Sequence, residues 1–60
     1  MKLNQIVQQI EALTVEIEAI NEMAHTARIG GHNELFFKFV AEISELVKQK
    51  RTLQAQKEAI

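Results

Sequence analysis

Apolar residues recur every three or four positions along almost the whole chain, in two stretches separated by the pair Gly30-Gly31. A mean spacing of about 3.5 residues places such side chains in one stripe along an α-helix. Two stripes of similar length around a glycine pair predict two helices joined by a tight turn. The first stripe comprises Leu3, Ile6, Ile10, Leu13, Ile17, Ile20, Ala24 and Ala27; the second comprises Phe36, Phe39, Ile43, Leu46, Leu53 and Ile60, with Lys50 and Lys57 at its polar positions.

The residues around the glycines predict where the helices end. Gly30 or Gly31 supplies the left-handed residue that commonly ends a helix. Asn33 is the preferred N-cap of the second helix, with His32 as a weaker candidate. The predicted bounds are about residues 3–28 for the first helix, about 29–33 for the turn and about 34–59 for the second helix.

A loop this short makes the two helices antiparallel neighbours. We therefore expect a single all-α domain over residues 1–60, an antiparallel helical hairpin. Folding about the glycines sets Phe36 and Phe39 opposite Ala24 and Ala27, and large side chains against small ones allow close packing.

The small size of the chain implies a partner. A domain of 60 residues buries little surface and usually needs a staple or association to be stable. Disulfides are excluded because the chain has no cysteine. Twofold dimers are the commonest symmetric assemblies, so we expect a homodimer that forms a four-helix bundle. Its predicted core comprises Leu3, Ile6, Ile10, Leu13, Ile17, Ile20, Phe36, Phe39, Ile43, Leu46 and Leu53.

Several apolar residues lie off the main stripes and are candidates for a partner surface. Phe37 is about 140° around its helix from the centre of the stripe, at 100° per residue. It packs over the loop, against a second copy, or against a different protein. Ala12, Val15 and Ala19 form a second, weaker stripe on the first helix, which is either a mildly apolar solvated face or a contact with a second neighbour.

Lys50 and Lys57 interrupt the second stripe. A lysine at such a position lowers stability but can specify register or oligomeric state. The preferred interpretation is that both aliphatic stems cover apolar surface while the ammonium groups reach water near the open end of the hairpin.

The sequence offers little chemistry, and we expect no enzyme, no cofactor and no metal site. Glu22 and His25 have the spacing of a bundle metal motif, but they fall on the outer side of the first helix. No serine or threonine has a recognisable base, and Gly30-Gly31 is too short for a phosphate-binding loop. No stretch approaches the ~20 apolar residues that span a bilayer, and there is no signal peptide, so a cytoplasmic protein is expected.

The one basic cluster, around Lys48 and Arg51, raises the question of RNA. These are the candidate RNA contacts, although Glu45 and Glu58 flank them and the net charge is −1. In length and architecture the chain resembles the Rop family of plasmid copy-number regulators, and the resemblance rests on shape. It implies a hairpin that dimerises into a four-helix bundle and binds paired RNA loops.

The preferred function is a small, non-catalytic interaction or regulatory module that works as a homo-oligomeric helical bundle. Its partners are expected to be a second copy of itself and, through its outer surface, another protein; nucleic acid and membranes are not expected. Two alternatives stay open, a Rop-like RNA-binding bundle and a purely structural oligomerisation segment.

Overall fold

The computed structural model describes residues 2–59, which form two helices and no strand. Helix α1 spans Leu3–Ile29 and helix α2 spans Asn33–Ala59. The two helices pack against each other in a rod of 44 × 14 × 12 Å. The predicted all-α helical hairpin is confirmed, while Ile60, which the sequence places in the second stripe, lies outside the described residues.

The start of α1 is held by its own polar groups. The carbonyl of Lys2 accepts hydrogen bonds from the N–H groups of Gln5 and Ile6 at 3.1 and 3.2 Å. In return, Gln5 Oε1 accepts from the Lys2 N–H at 3.3 Å. This is the reach-back half of a capping box, which satisfies one donor that the helix cannot.

The turn is a Schellman motif built on the two glycines. The His32 N–H donates to the carbonyl of Ala27 at 2.9 Å, and the Gly31 N–H donates to that of Arg28 at 3.2 Å. These two bonds define the motif and satisfy carbonyls at the end of α1. Gly31 has a φ of +77°, so it is the left-handed residue, while Gly30 keeps a right-handed conformation with φ −76°.

Helix α2 begins one residue earlier than the sequence predicts. The Phe36 N–H donates to the carbonyl of His32 at 2.9 Å, so His32 precedes the helix and Asn33 is its first residue. The prediction of Asn33 as N-cap is wrong. The physical reason is that the amide of His32 closes α1 while its carbonyl accepts the first hydrogen bond of α2, so His32, the weaker candidate, takes the cap position and Asn33 is already helical.

The hairpin buries very little. Among the described residues the buried set is Ile6, Ala24 and Ala27, with 1%, 3% and 4% of their surface exposed. The other apolar stripe residues that the structure describes are partly buried, except Leu3, which is 46% exposed. The partly buried apolar residues are Val7, Ile10, Leu13, Ile17, Ile20, Phe36, Phe39, Ile43, Leu46, Val47 and Leu53.

Replacing Gly31 with alanine should lower the free energy of unfolding by about 1 kcal/mol, because a Cβ is strained at positive φ. Gly30→Ala is the matched control. Its backbone suits any residue, and the new Cβ meets the His32 ring at 3.0 Å, which a flexible side chain can relieve. We expect that variant to stay within about 0.5 kcal/mol of the parent. Urea unfolding at one protein concentration measures both, and equal losses would contradict the assignment of Gly31.

Candidate functional site

Exposed apolar side chains are the main feature of the surface. Soluble monomers rarely expose large contiguous apolar patches, and such patches mark interaction sites. Within residues 2–59, seven large apolar residues have between 40% and 74% of their surface exposed. They are Leu3, Val15, Met23, Ile29, Leu35, Phe37 and Val40.

An apolar groove of about 650 Å³ runs between the helices near the turn. From α1 it is lined by Ala19, Met23 and Ala27, and from α2 by Leu35 and Phe39. Sequence reasoning missed Met23 and Leu35 as surface residues. The available signal was their spacing, since Met23 lies four residues after Ala19 and Leu35 four before Phe39.

A second groove of about 340 Å³ crosses the middle of the hairpin. Its walls are Glu16 and Ile20 from α1 with Glu42, Glu45 and Leu46 from α2.

Both grooves open on the same side of the hairpin. Helical spacing of three, four and seven relates Glu16 to Ala19 and Met23, and likewise Leu35 to Phe39, Glu42 and Leu46. We call this side the groove face, defined by Glu16, Ala19, Met23, Leu35, Phe39, Glu42 and Leu46. It is apolar towards the turn and acidic at mid-length.

Phe37 lies on the opposite side of α2 from the groove face. It is 67% exposed, and its ring meets that of Phe36 edge-on with centroids 5.6 Å apart. The guanidinium of Arg28 stands 5.8 Å from the centre of the Phe36 ring, which is within cation–π range. The structure therefore anchors Phe36 against α1 and leaves Phe37 facing solvent.

The predicted candidates do not converge on one site. Ala19 lines the apolar groove, whereas Ala12 is exposed and Val15 is 66% exposed. Phe37 is on the other side of the molecule from Ala19. The structure thus divides the predicted partner surface into a part on or beside the groove face and a separate aromatic part.

The candidate RNA contacts Lys48 and Arg51 are both exposed. Residues three apart on a helix are neighbours on its surface, so the two cations share one side of α2. Lys50 differs from them because it is partly buried in the stripe that faces α1.

The three threonine hydroxyls are occupied within their own helices. The hydroxyls of Thr14, Thr26 and Thr52 each donate to the carbonyl four residues earlier, at 2.8 to 3.1 Å. Across residues 2–59 there is no group of three histidine, aspartate or glutamate side chains placed to hold a metal ion.

No protein family, curated protein or solved structure matches this chain. Over the part of the chain that the structure describes, neither helix combines the length and the apolar character needed to cross a bilayer.

Replacing Phe39 with serine should destabilise the fold by about 2 kcal/mol, because this ring is partly buried in the wall of the apolar groove. Phe37→Ser is the matched control. It loses an exposed ring and its edge contact with Phe36, so we expect a change below about 1 kcal/mol. Thermal unfolding followed by circular dichroism compares the two, and a larger loss for Phe37→Ser would contradict this placement.

Proposed function

We propose that this chain is a non-catalytic interaction module that works as a homo-oligomeric helical bundle, formed by two hairpins related by a twofold axis. The observation that carries the proposal is exposed area. A folded monomer of 6.8 kDa typically exposes about 4000 Å², whereas the hairpin exposes 4706 Å². The excess of about 700 Å² approaches the ~800 Å² that each partner buries in a standard interface.

The small buried core of the hairpin supports the same proposal. The buried apolar residues in the described part of the chain are one isoleucine and two alanines. Helices in proteins draw most of their stability from tertiary packing of an apolar face, and here that face is mostly half-covered. A second hairpin laid on the first would cover the remaining halves of both stripes and supply the missing interior.

Part of the surface outside the groove face stays exposed in the proposed bundle and could contact a different protein. Such a contact would give the bundle its regulatory role. Phe37 and Val40 are 67% and 40% exposed and lie outside the groove face. Exposed aromatic residues are common anchors of protein interfaces. We propose that any second partner contacts the bundle at this aromatic surface.

The RNA-binding alternative has weaker support. Lys48 and Arg51 are exposed on one side of α2, but Glu45 and Glu58 flank them and the net charge is −1. Phosphate contacts by basic residues supply most of the affinity for RNA, and two cations provide few of them. The hairpin is also compatible with a purely structural oligomerisation segment. That alternative differs from the proposed interaction module because it predicts no partner for the surface around Phe37.

Sedimentation equilibrium at micromolar concentration should give a mass near twice 6.8 kDa. Leu46→Asp should remove the dimer and most of the helical circular dichroism signal, because an unpaired carboxylate would enter the completed core. Phe37→Asp, at a position that is 67% exposed and lies outside the groove face, should keep both properties. A stable, fully helical monomer for the parent chain would contradict the proposal.

A further inference from the structure

An exposed stripe runs along the side of α2 that faces away from α1. Its residues follow one another at steps of four, three, four and three, which is the spacing of one side of an α-helix. We call it the outer stripe, defined by Phe37, Ala41, Ser44, Lys48 and Arg51. All five residues are exposed. From its first residue to its last, the stripe is about 21 Å long at 1.5 Å per residue.

The outer stripe is apolar at one end and basic at the other. We infer that it binds an acidic amphipathic helix of a partner protein. The partner helix lies antiparallel to α2, with apolar anchors on Phe37 and carboxylates on Lys48 and Arg51. This inference rests on the proposed interaction module, and it names the chemistry of the second partner and the residues that bind it.

The apolar end of the stripe is available for binding. Phe37 is 67% exposed, and Val40, three residues further along the same helix, is 40% exposed. The ring of Phe37 touches that of Phe36 only edge-on, with centroids 5.6 Å apart, so most of its surface meets water. Exposed aromatic rings are common anchors of protein interfaces. This end therefore offers an apolar contact that the packing of α1 on α2 leaves uncovered.

The middle of the stripe consists of small side chains. Ala41 and Ser44 are both exposed, and they lie between the ring of Phe37 and the long side chains of Lys48 and Arg51. Small residues opposite large ones allow two helices to interdigitate. A helix laid along the stripe can therefore come close to α2 at mid-length while its longer side chains contact the two ends.

The basic end of the stripe is free of acidic residues. Lys48 and Arg51 are three residues apart and share one side of α2. The two acidic residues between Phe37 and Arg51 are Glu42 and Glu45, and both line the central groove on the other side of the helix. Charge complementarity therefore selects a partner with carboxylates at this end, where an arginine can hold a carboxylate through two parallel N–H bonds.

The distances along the stripe set the spacing and direction of the partner. Lys48 and Arg51 lie about 16 and 21 Å from Phe37 along the helix axis, so the partner needs carboxylates about 11 and 14 residues from its apolar anchor. Glu34, which is exposed three residues before Phe37, would repel a carboxylate at the apolar end. Carboxylates are favoured in the first turns of a helix. The acidic end of the partner is therefore its N-terminal end, which makes it antiparallel to α2.

The proposed homodimer leaves the outer stripe accessible. Phe37 lies on the opposite side of α2 from the groove face, so a second hairpin on that face does not cover it. A twofold dimer then presents two equivalent stripes. We expect one partner helix for each chain and two for each dimer.

The same two cations were the candidate RNA contacts, and the stripe favours an acidic helix over RNA. Phosphate contacts by basic residues supply most of the affinity for RNA, and this stripe offers two of them. Its other end, about 16 Å away, is an aromatic ring beside Val40. An amphipathic helix uses both ends of the stripe, because its apolar and acidic residues share one side at the same helical period.

A synthetic peptide tests the inference with the full chain. The peptide has about 18 residues and a fluorescein label, with glutamates on one side of its first two turns and leucines on the same side of its last two turns. Fluorescence anisotropy should show saturable binding of one peptide per chain, weakened by salt. A peptide with lysines in place of the glutamates should bind at least tenfold more weakly. Equal binding of the two peptides, or no binding of the glutamate peptide, would overturn the inference.

Variants of exposed residues assign the binding to the stripe. Phe37→Ser should weaken binding of the glutamate peptide about tenfold, and Arg51→Glu should weaken it about fivefold. Lys38→Glu is the matched control for charge, because this exposed residue lies next to Phe37 in the sequence but about 100° around the helix. It should change the dissociation constant less than about threefold. Equal effects of Arg51→Glu and Lys38→Glu would contradict the assignment.

Reversal of both cations tests charge recognition without loss of the site. The double variant Lys48→Glu with Arg51→Glu should prefer the lysine peptide to the glutamate peptide, because the attractive and the repulsive pairs exchange places. Circular dichroism should show the helical signal of the parent, since both residues are exposed. An unchanged preference for the glutamate peptide would overturn the inference.

A labelled oligouridylate separates RNA from a protein helix. RNA binding that persists in Phe37→Ser and disappears in the double charge reversal, without binding of the glutamate peptide, would overturn the inference in favour of RNA. Sedimentation equilibrium separates the inference from the proposed homodimer. A dimer that ignores the peptide overturns the inference alone, whereas a monomer that binds the peptide overturns the homodimer and supports the outer stripe.

Discussion

Two helices packed side by side form a layer one helix thick, and this constraint governs everything else about the chain. Each helix can cover only one flank of the other, so a stripe that is broad enough for a core keeps its outer edge in water. Ile6, Ala24 and Ala27 lie at the centre line and are buried, whereas Leu35 and Met23 lie at the edge and are 44% and 46% exposed. Hydrophobic stabilisation scales with the apolar area removed from water. A second layer of helices over these exposed edges would therefore add stability.

The turn fixes how the two stripes meet. Gly31 takes the left-handed conformation, and the amide and carbonyl of His32 close one helix and open the next. Only three residues lie between the two helices, so α2 returns directly alongside α1. Arg28 then stands over the Phe36 ring, while the alanines of α1 leave space for the aromatic side chains of α2. The conformation of the glycine turn therefore also sets the register in which α1 and α2 pack against each other.

The spacing of apolar residues was sufficient to predict both helices and the hairpin, because the period of a helix is a local property of the sequence. The same spacing relates Met23 to Ala19 and Leu35 to Phe39, but it does not show which edge of a stripe stays exposed. Met23 and Leu35 line the apolar groove because each helix is rotated about its own axis by the packing of the other, and that rotation is not local. The same applies to Val7 and Val47, which lie beside the stripes and are partly buried. The error at Asn33 arose because cap preference was judged without the Schellman motif that already occupied His32.

We propose that folding and association of this chain are one process, because the hairpin leaves its stripes only partly buried. The most direct measurement is the midpoint of thermal unfolding, followed by circular dichroism, over a hundredfold range of protein concentration. A dimer that is needed for folding shows a midpoint that rises with concentration, and this is the result we expect. A midpoint that stays constant over that range, with full helical signal at the lowest concentration, would contradict the claim and make the hairpin a self-sufficient monomer.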